Sequence, residues 1–307
     1  MSKTKGFIYG SVSAATFGLI PLFSLPIMAK GIHFDSILCY RFLIAAIAIG
    51  GLMWGRGESF RVTSKELLTL IGLGTFYSAS AMFLFWSYRL MAAGIAATIL
   101  FLYPVFVAVL MRTLFREKIS WITNLAIGVA IIGVALLYMG DGDGSLSIAG
   151  IIVVLLSALS YALYIVGVNK SGVQHMNGTK ITFYSLLVGM VLFFTKAQSA
   201  EGMQILPDWE SWLNVVLLAV IPTMVSCITM VWSVQYIGST YTSVLGAMEP
   251  LTAVCVGVFV FGEPFTPNLA AGILLIILSV TLIILSKVIQ RSMEGIRHML
   301  HVLLLRR

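Results

Sequence analysis

Two ionisable residues stand inside long apolar runs: Arg41 within residues 36–50 and Glu249 within residues 243–260. If those runs lie in a bilayer, an ionised group there is expensive, and by default it marks a function or a buried pair. Glu249 could bind a solute ammonium, carry a coupling proton or neutralise Arg41. It could also be a satisfied structural carboxylate at a kink. Arg41 could hold a solute carboxylate, or pair internally and fix its helix. Pro250 follows Glu249 directly, and Pro104 stands in a second run of the same kind. A proline frees a carbonyl and bends a helix. Both are therefore candidate hinges that open backbone to a cavity, or static kinks needed for packing. Phe17, Tyr77, Trp86, Tyr103, Tyr161 and Trp232 are the candidate walls, with serines and threonines interleaved. Apolar walls carrying a few hydrogen-bonding groups suit an amphipathic organic solute, although each ring alone reads more readily as packing or as an interfacial anchor.

Other chemistries find little support. An intramembrane enzyme needs paired acids, a Ser/His set or metal ligands within the apolar runs. The four histidines, His33, His175, His298 and His301, fall in loops or in the tail. Cys39, Cys227 and Cys255 lie in apolar segments, away from any metal-ligand spacing, and read as packing residues. No cofactor and no metal are expected. A channel is disfavoured because no ring of like polar residues appears. A scaffold without transport activity stays open.

These residues need elements to position them. The chain has 307 residues, 59% hydrophobic and only 10% charged, with a mean hydropathy of +1.01. A water-soluble domain carries about 25% charged residues, so the composition implies a polytopic membrane protein. A bilayer core of about 30 Å takes roughly 20 apolar residues per helix. Ten such spans are expected, at about 6–29, 35–55, 66–88, 91–114, 119–139, 147–169, 178–196, 212–234, 240–262 and 267–286. The first reads as a retained helix rather than a cleaved signal peptide. Gly6 and Gly10, and the small residues of spans 5 and 10, allow close helix packing.

The sequence also repeats. With a shift of 144 to 146 positions, Gly6, Ser13 and Phe17 fall on Gly150, Ser157 and Tyr161, and Trp86-Ser87 on Trp232-Ser233. Tyr103-Pro104 falls on Glu249-Pro250, and Glu117 on Glu263. The expected units are residues 1–140 and 145–286, five spans each. Five is odd, so the halves are expected to lie in opposite orientations as an inverted repeat. The fold class is thus an all-α membrane protein with ten transmembrane helices. Glu117 and Glu263 read as loop or cap anchors. The Asp141–Gly144 stretch links the halves and reads as a turn, not a calcium loop.

Loop charges orient the chain. With the N-terminus in the cytoplasm, Lys30, Arg89 and Lys196 face outward, and every other Lys and Arg except Arg41 faces inward. The asymmetry predicts cytoplasmic N- and C-termini. It also accounts for the net charge of +7 without nucleic acid. Residues 287–307 alternate apolar and basic residues at helical spacing and are expected to form an amphipathic helix on the anionic inner leaflet.

Tyr40-Arg41-Phe42, then Ala96 to Pro104 running into Phe115-Arg116-Glu117, then Asn124 to Gly128, resembles one EamA-type repeat. Ser243 to Pro250, Phe261-Gly262-Glu263 and Asn268 to Gly272 resemble a second. The chain therefore resembles the EamA-type branch of the drug/metabolite transporter superfamily over nearly its whole length. The resemblance implies a bacterial inner-membrane carrier with a central cavity lined mainly by spans 1, 3, 4, 6, 8 and 9. It also implies export of small amphipathic metabolites such as amino acids as the commonest role, with multidrug or sugar and nucleotide-sugar carriage as the alternative. Small multidrug exporters of the same superfamily use a glutamate in their first helix. Spans 1 and 6 here contain no acid, which leaves Glu249 as the intramembrane carboxylate. The expected partners are a small-molecule solute and the lipid bilayer. A monomer and a homodimer are both compatible with the sequence.

Overall fold

The computed structural model describes residues 3–116, 121–139, 147–199 and 202–285. The tail from residue 287, Glu117 and the Asp141–Gly144 turn lie outside the described residues. In chain order the helices are α1 (Lys3–Phe17), α2 (Ile20–Ala29), α3 (Phe34–Gly55), α4 (Ser64–Ser87), α5 (Ala93–Leu100), α6 (Tyr103–Phe115) and α7 (Trp121–Met139). They continue with α8 (Ile148–Lys170), α9 (Gly178–Ser199), α10 (Trp209–Ala219), a π-helical segment (Val220–Val225), α11 (Ser226–Leu245), α12 (Met248–Phe261) and α13 (Pro267–Leu285). Among the described residues there is no strand. Among those residues eight helical stretches are long and apolar enough to cross a membrane, and Trp121–Leu137 and Met248–Phe261 are two shorter apolar helices.

Local chemistry sets the helix ends. Thr63 and Glu66 form a capping box at the start of α4, and Asp208 caps α10 by accepting from the Ser211 N–H at 2.8 Å. At the other ends, Arg116 and Gly262 both adopt left-handed backbone, at φ 55° and 67°, immediately after α6 and α12. These two residues are repeat-related. The large apolar side chains that stay uncovered, such as Leu68, Ile131, Leu274 and Phe259, sit on the outer faces of helices, where lipid rather than water suits them. Trp54, Trp121 and Trp209 are exposed near helix ends, as interfacial anchors are.

Three expected spans are broken. Span 1 divides at Gly18-Leu19, ahead of Pro21, while Pro26 lies inside α2 without ending it. Span 4 divides at Phe101-Leu102 and span 9 at Gly246-Ala247, so Pro104 and Pro250 fall in the first turns of α6 and α12. This corrects the expected mid-helix kinks: the prolines open new helices, where a missing N–H costs nothing. Helical backbone also runs from α10 through α11 across the expected gap between spans 8 and 9. Yet Ser233 Oγ lies 2.8 Å from Thr242 Oγ1. Nine residues of straight helix span about 13.5 Å, so the chain turns back sharply between them.

Hydrogen bonds recur at repeat-related positions. Ser13 Oγ donates to the Ser226 carbonyl at 2.8 Å, and Ser157 Oγ to the Ser80 carbonyl at 2.7 Å. Tyr40 donates to the Gln204 carbonyl at 3.2 Å, and Tyr184 to the Phe60 carbonyl at 2.5 Å. The first pair fastens α1 to α11 and α8 to α4, and the second ties loops at opposite ends of the bundle. Gly6 and Gly150 leave no room for a Cβ against Tyr236-Ile237 and Leu90-Met91, which also correspond.

Candidate functional site

The two halves enclose two adjoining cavities at mid-bundle. One, of about 150 Å³, is bounded by α1, α6, α8, α11 and α12 and includes Ser13, Ser226, Met230 and Thr242. The other, of about 30 Å³, reaches Arg41, Tyr77, Ser80 and Leu84. Four residues line both: Phe17, Tyr103, Tyr161 and Glu249. Phe17 and Tyr161 are repeat mates, as are Tyr103 and Glu249, so the shared wall consists of two symmetry-related pairs. A larger crevice of about 430 Å³ opens among the loops at one end, near Glu58 and His175, away from this wall.

Each wall residue has a local reason for its place. Tyr103 and Glu249 precede Pro104 and Pro250 in first helical turns. A carboxylate in the first turn of α12 also meets the positive end of the helix dipole. Gly18 lets α1 approach α12: a Cβ there would collide with the Glu249 carbonyl oxygen. Tyr161 anchors the aromatic wall, edge-on to Tyr103 at 4.9 Å between centroids and tilted against Tyr77 at 6.4 Å. Glu249 is half-buried, and no other described residue makes an ion pair or hydrogen bond with its carboxylate.

Arg41 is 2% exposed. Its Nε donates to Thr223 Oγ1 at 3.0 Å, and its guanidinium carbon lies 5.9 Å from the ring centres of both Phe42 and Phe85. Thr223 follows Pro222 inside the π-helical segment. Proline takes one donor from this turn, and the Thr223 hydroxyl supplies one, donating to the Leu218 carbonyl at 3.2 Å. Its lone pair then faces Arg41. The sequence signal for this arrangement is the Pro222-Thr223 pair within an apolar span.

Four of the six predicted wall residues, Phe17, Tyr77, Tyr103 and Tyr161, thus share one cavity with Arg41 and Glu249, and the two tryptophans do not. Trp86 is 43% exposed and stacks on Phe83, and Trp232 is 36% exposed against Tyr9. Successive helical residues diverge by about 100°. In each repeated Trp-Ser pair the inward residue is the serine: Ser87 and Ser233 are fully buried. Glu263 does act as a cap, and on the other half of the chain. Its carboxylate accepts from the Ala93 and Gly94 N–H groups at 2.8 and 3.3 Å, at the start of α5. Among the described residues no three His, Cys, Asp or Glu side chains gather as metal ligands would.

The EamA-like transporter family model matches residues 4–139 and again 148–285. The chain belongs to this family and is a multi-pass membrane transporter. It is similar to an uncharacterized transporter of Archaeoglobus fulgidus, at 29% identity over 198 residues, covering 64% of this chain and 69% of that protein. An uncharacterized transporter of Synechocystis, sll1319, is 28% identical over 71% of this chain and 67% of its own length. The Bacillus subtilis uncharacterized transporter YxxF is 24% identical over 87% and 85%. A protein crystal structure superposes on 95% of this chain and 100% of its own with a TM-score of 0.68 at 16% identity, a likeness of fold.

Proposed function

We propose that the chain is a ten-span secondary carrier, made of inverted repeats at residues 1–140 and 145–286, that exports small amphipathic metabolites such as amino acids by alternating access. The observation that carries this reading is the shared cavity wall. Phe17 with Tyr161, and Tyr103 with Glu249, put equivalent positions of both halves around the two adjoining cavities. Rings supply apolar contact there, and Glu249 and Arg41 supply charge. The chain breaks at Gly18-Leu19, Phe101-Leu102 and Gly246-Ala247 lie beside that wall, and Pro104 and Pro250 act as the hinges about which the halves rock. Both termini face the cytoplasm, and the carrier sits in the plasma membrane. Transport, not bond-making chemistry, is its task.

Solute flux into proteoliposomes tests this. Pooled amino acids and aromatic metabolites are offered with and without a pH gradient. Saturable movement of a member of the pool supports the carrier. Failure of every member to move through folded, reconstituted protein contradicts it.

A further inference from the structure

Neither intramembrane charge has a charged counterpart in the other half. Arg41 corresponds to Ser185 and Glu249 to Tyr103. The duplicated fold therefore requires neither charge, yet both line the same cavity. They do not neutralise each other, because no ion pair joins them. The surroundings of the guanidinium are neutral: Thr223 at Nε, Phe42 and Phe85 beside the plane, and Tyr77, Tyr88 and Cys227 nearby. A buried guanidinium ordinarily demands a counter-ion. Thr223 engages only Nε, and the terminal N–H fork, suited to two-point capture of a carboxylate, makes no hydrogen bond with a described residue.

We propose that Arg41 is an anion subsite, oriented by Thr223, that makes a carboxylate on the solute a requirement for binding. Building on the carrier reading above, the solute is zwitterionic: its carboxylate on Arg41, its ammonium toward Glu249, its side chain among Phe17, Tyr103 and Tyr161. Thr223 is a positioning residue, set by the Pro222 interruption of its helix.

The test is thermal stabilisation of the purified full-length protein by the twenty common L-amino acids. The strongest binder is then compared with its decarboxylated amine and its amide. The amino acid is expected to raise the melting temperature, and both derivatives to bind about tenfold to a hundredfold more weakly, as loss of a charged hydrogen-bonded contact dictates. Arg41→Gln abolishes the preference, and Thr223→Val weakens it. An amine that binds as well as its amino acid, or a preference that survives Arg41→Gln, would overturn the subsite. In both cases solute still binds and the carrier reading stands. If no amphipathic compound, with or without a carboxylate, stabilises the protein, both fall.

Discussion

Single residues decide how closely the two halves meet at the cavity. Gly18 is the sharpest case, because a Cβ would collide with the Glu249 carbonyl oxygen and approach Thr252 at 2.8 Å. Both neighbours belong to α12 and have little freedom to yield. Gly18→Ala is expected to cost about 1–3 kcal/mol, seen as a lowered melting temperature, and to displace Glu249. An unchanged melting temperature would contradict this packing. The aromatic wall makes a second prediction. Tyr161 touches both Tyr103 and Tyr77, so Tyr161→Leu is expected to weaken solute affinity about tenfold, as loss of one ring contact and its area implies. Trp86→Ala and Trp232→Ala should leave affinity unchanged in the same binding assay. The position of Glu249, the aromatic letters and the prolines were all legible in the sequence. Which side of a helix each ring occupies was not: Trp-Ser recurs as a unit, and the conspicuous letter of the pair is the outward one.

Between elements, the repeat appears as matched hydrogen bonds more than as matched letters. Ser13 with Ser226, and Ser157 with Ser80, fasten corresponding helices. The four serines could be read along the chain, but their pairing could not, because it joins residues 213 and 77 positions apart. Ser13→Ala and Ser157→Ala are expected to cost similar amounts, about 0.6 kcal/mol each as interhelical hydrogen bonds in membranes go. A large loss at one site and none at the other would argue against equivalent roles. The helix breaks teach a related lesson. Proline marked their neighbourhood, but in spans 4 and 9 each break falls just ahead of its proline, since the ring is best accommodated in a first turn. Span 1 breaks unaided by its repeat mate: α8 runs unbroken through the position equivalent to Gly18-Leu19. That difference lets α1 reach Glu249.

At the scale of the whole molecule, composition alone made a bundle in lipid the reading to expect. The π-helical turn beside Arg41 is not legible in the sequence, because it depends on one proline's effect on a partner helix. The proposed orientation can be checked directly. A single cysteine placed at Gly202 should react with an impermeant thiol reagent from outside intact cells, and one placed at Ser171 only after permeabilisation; the reverse pattern would invert the topology. The most direct measurement on the cavity itself is solute flux in proteoliposomes for wild type and Glu249→Gln, normalised to folded protein. If the shared wall is the transport path, the variant folds and melts like the wild type yet carries solute at least about tenfold more slowly, as loss of a charged contact implies. Unchanged flux in Glu249→Gln would contradict the path, and loss of folded protein would make Glu249 a structural residue.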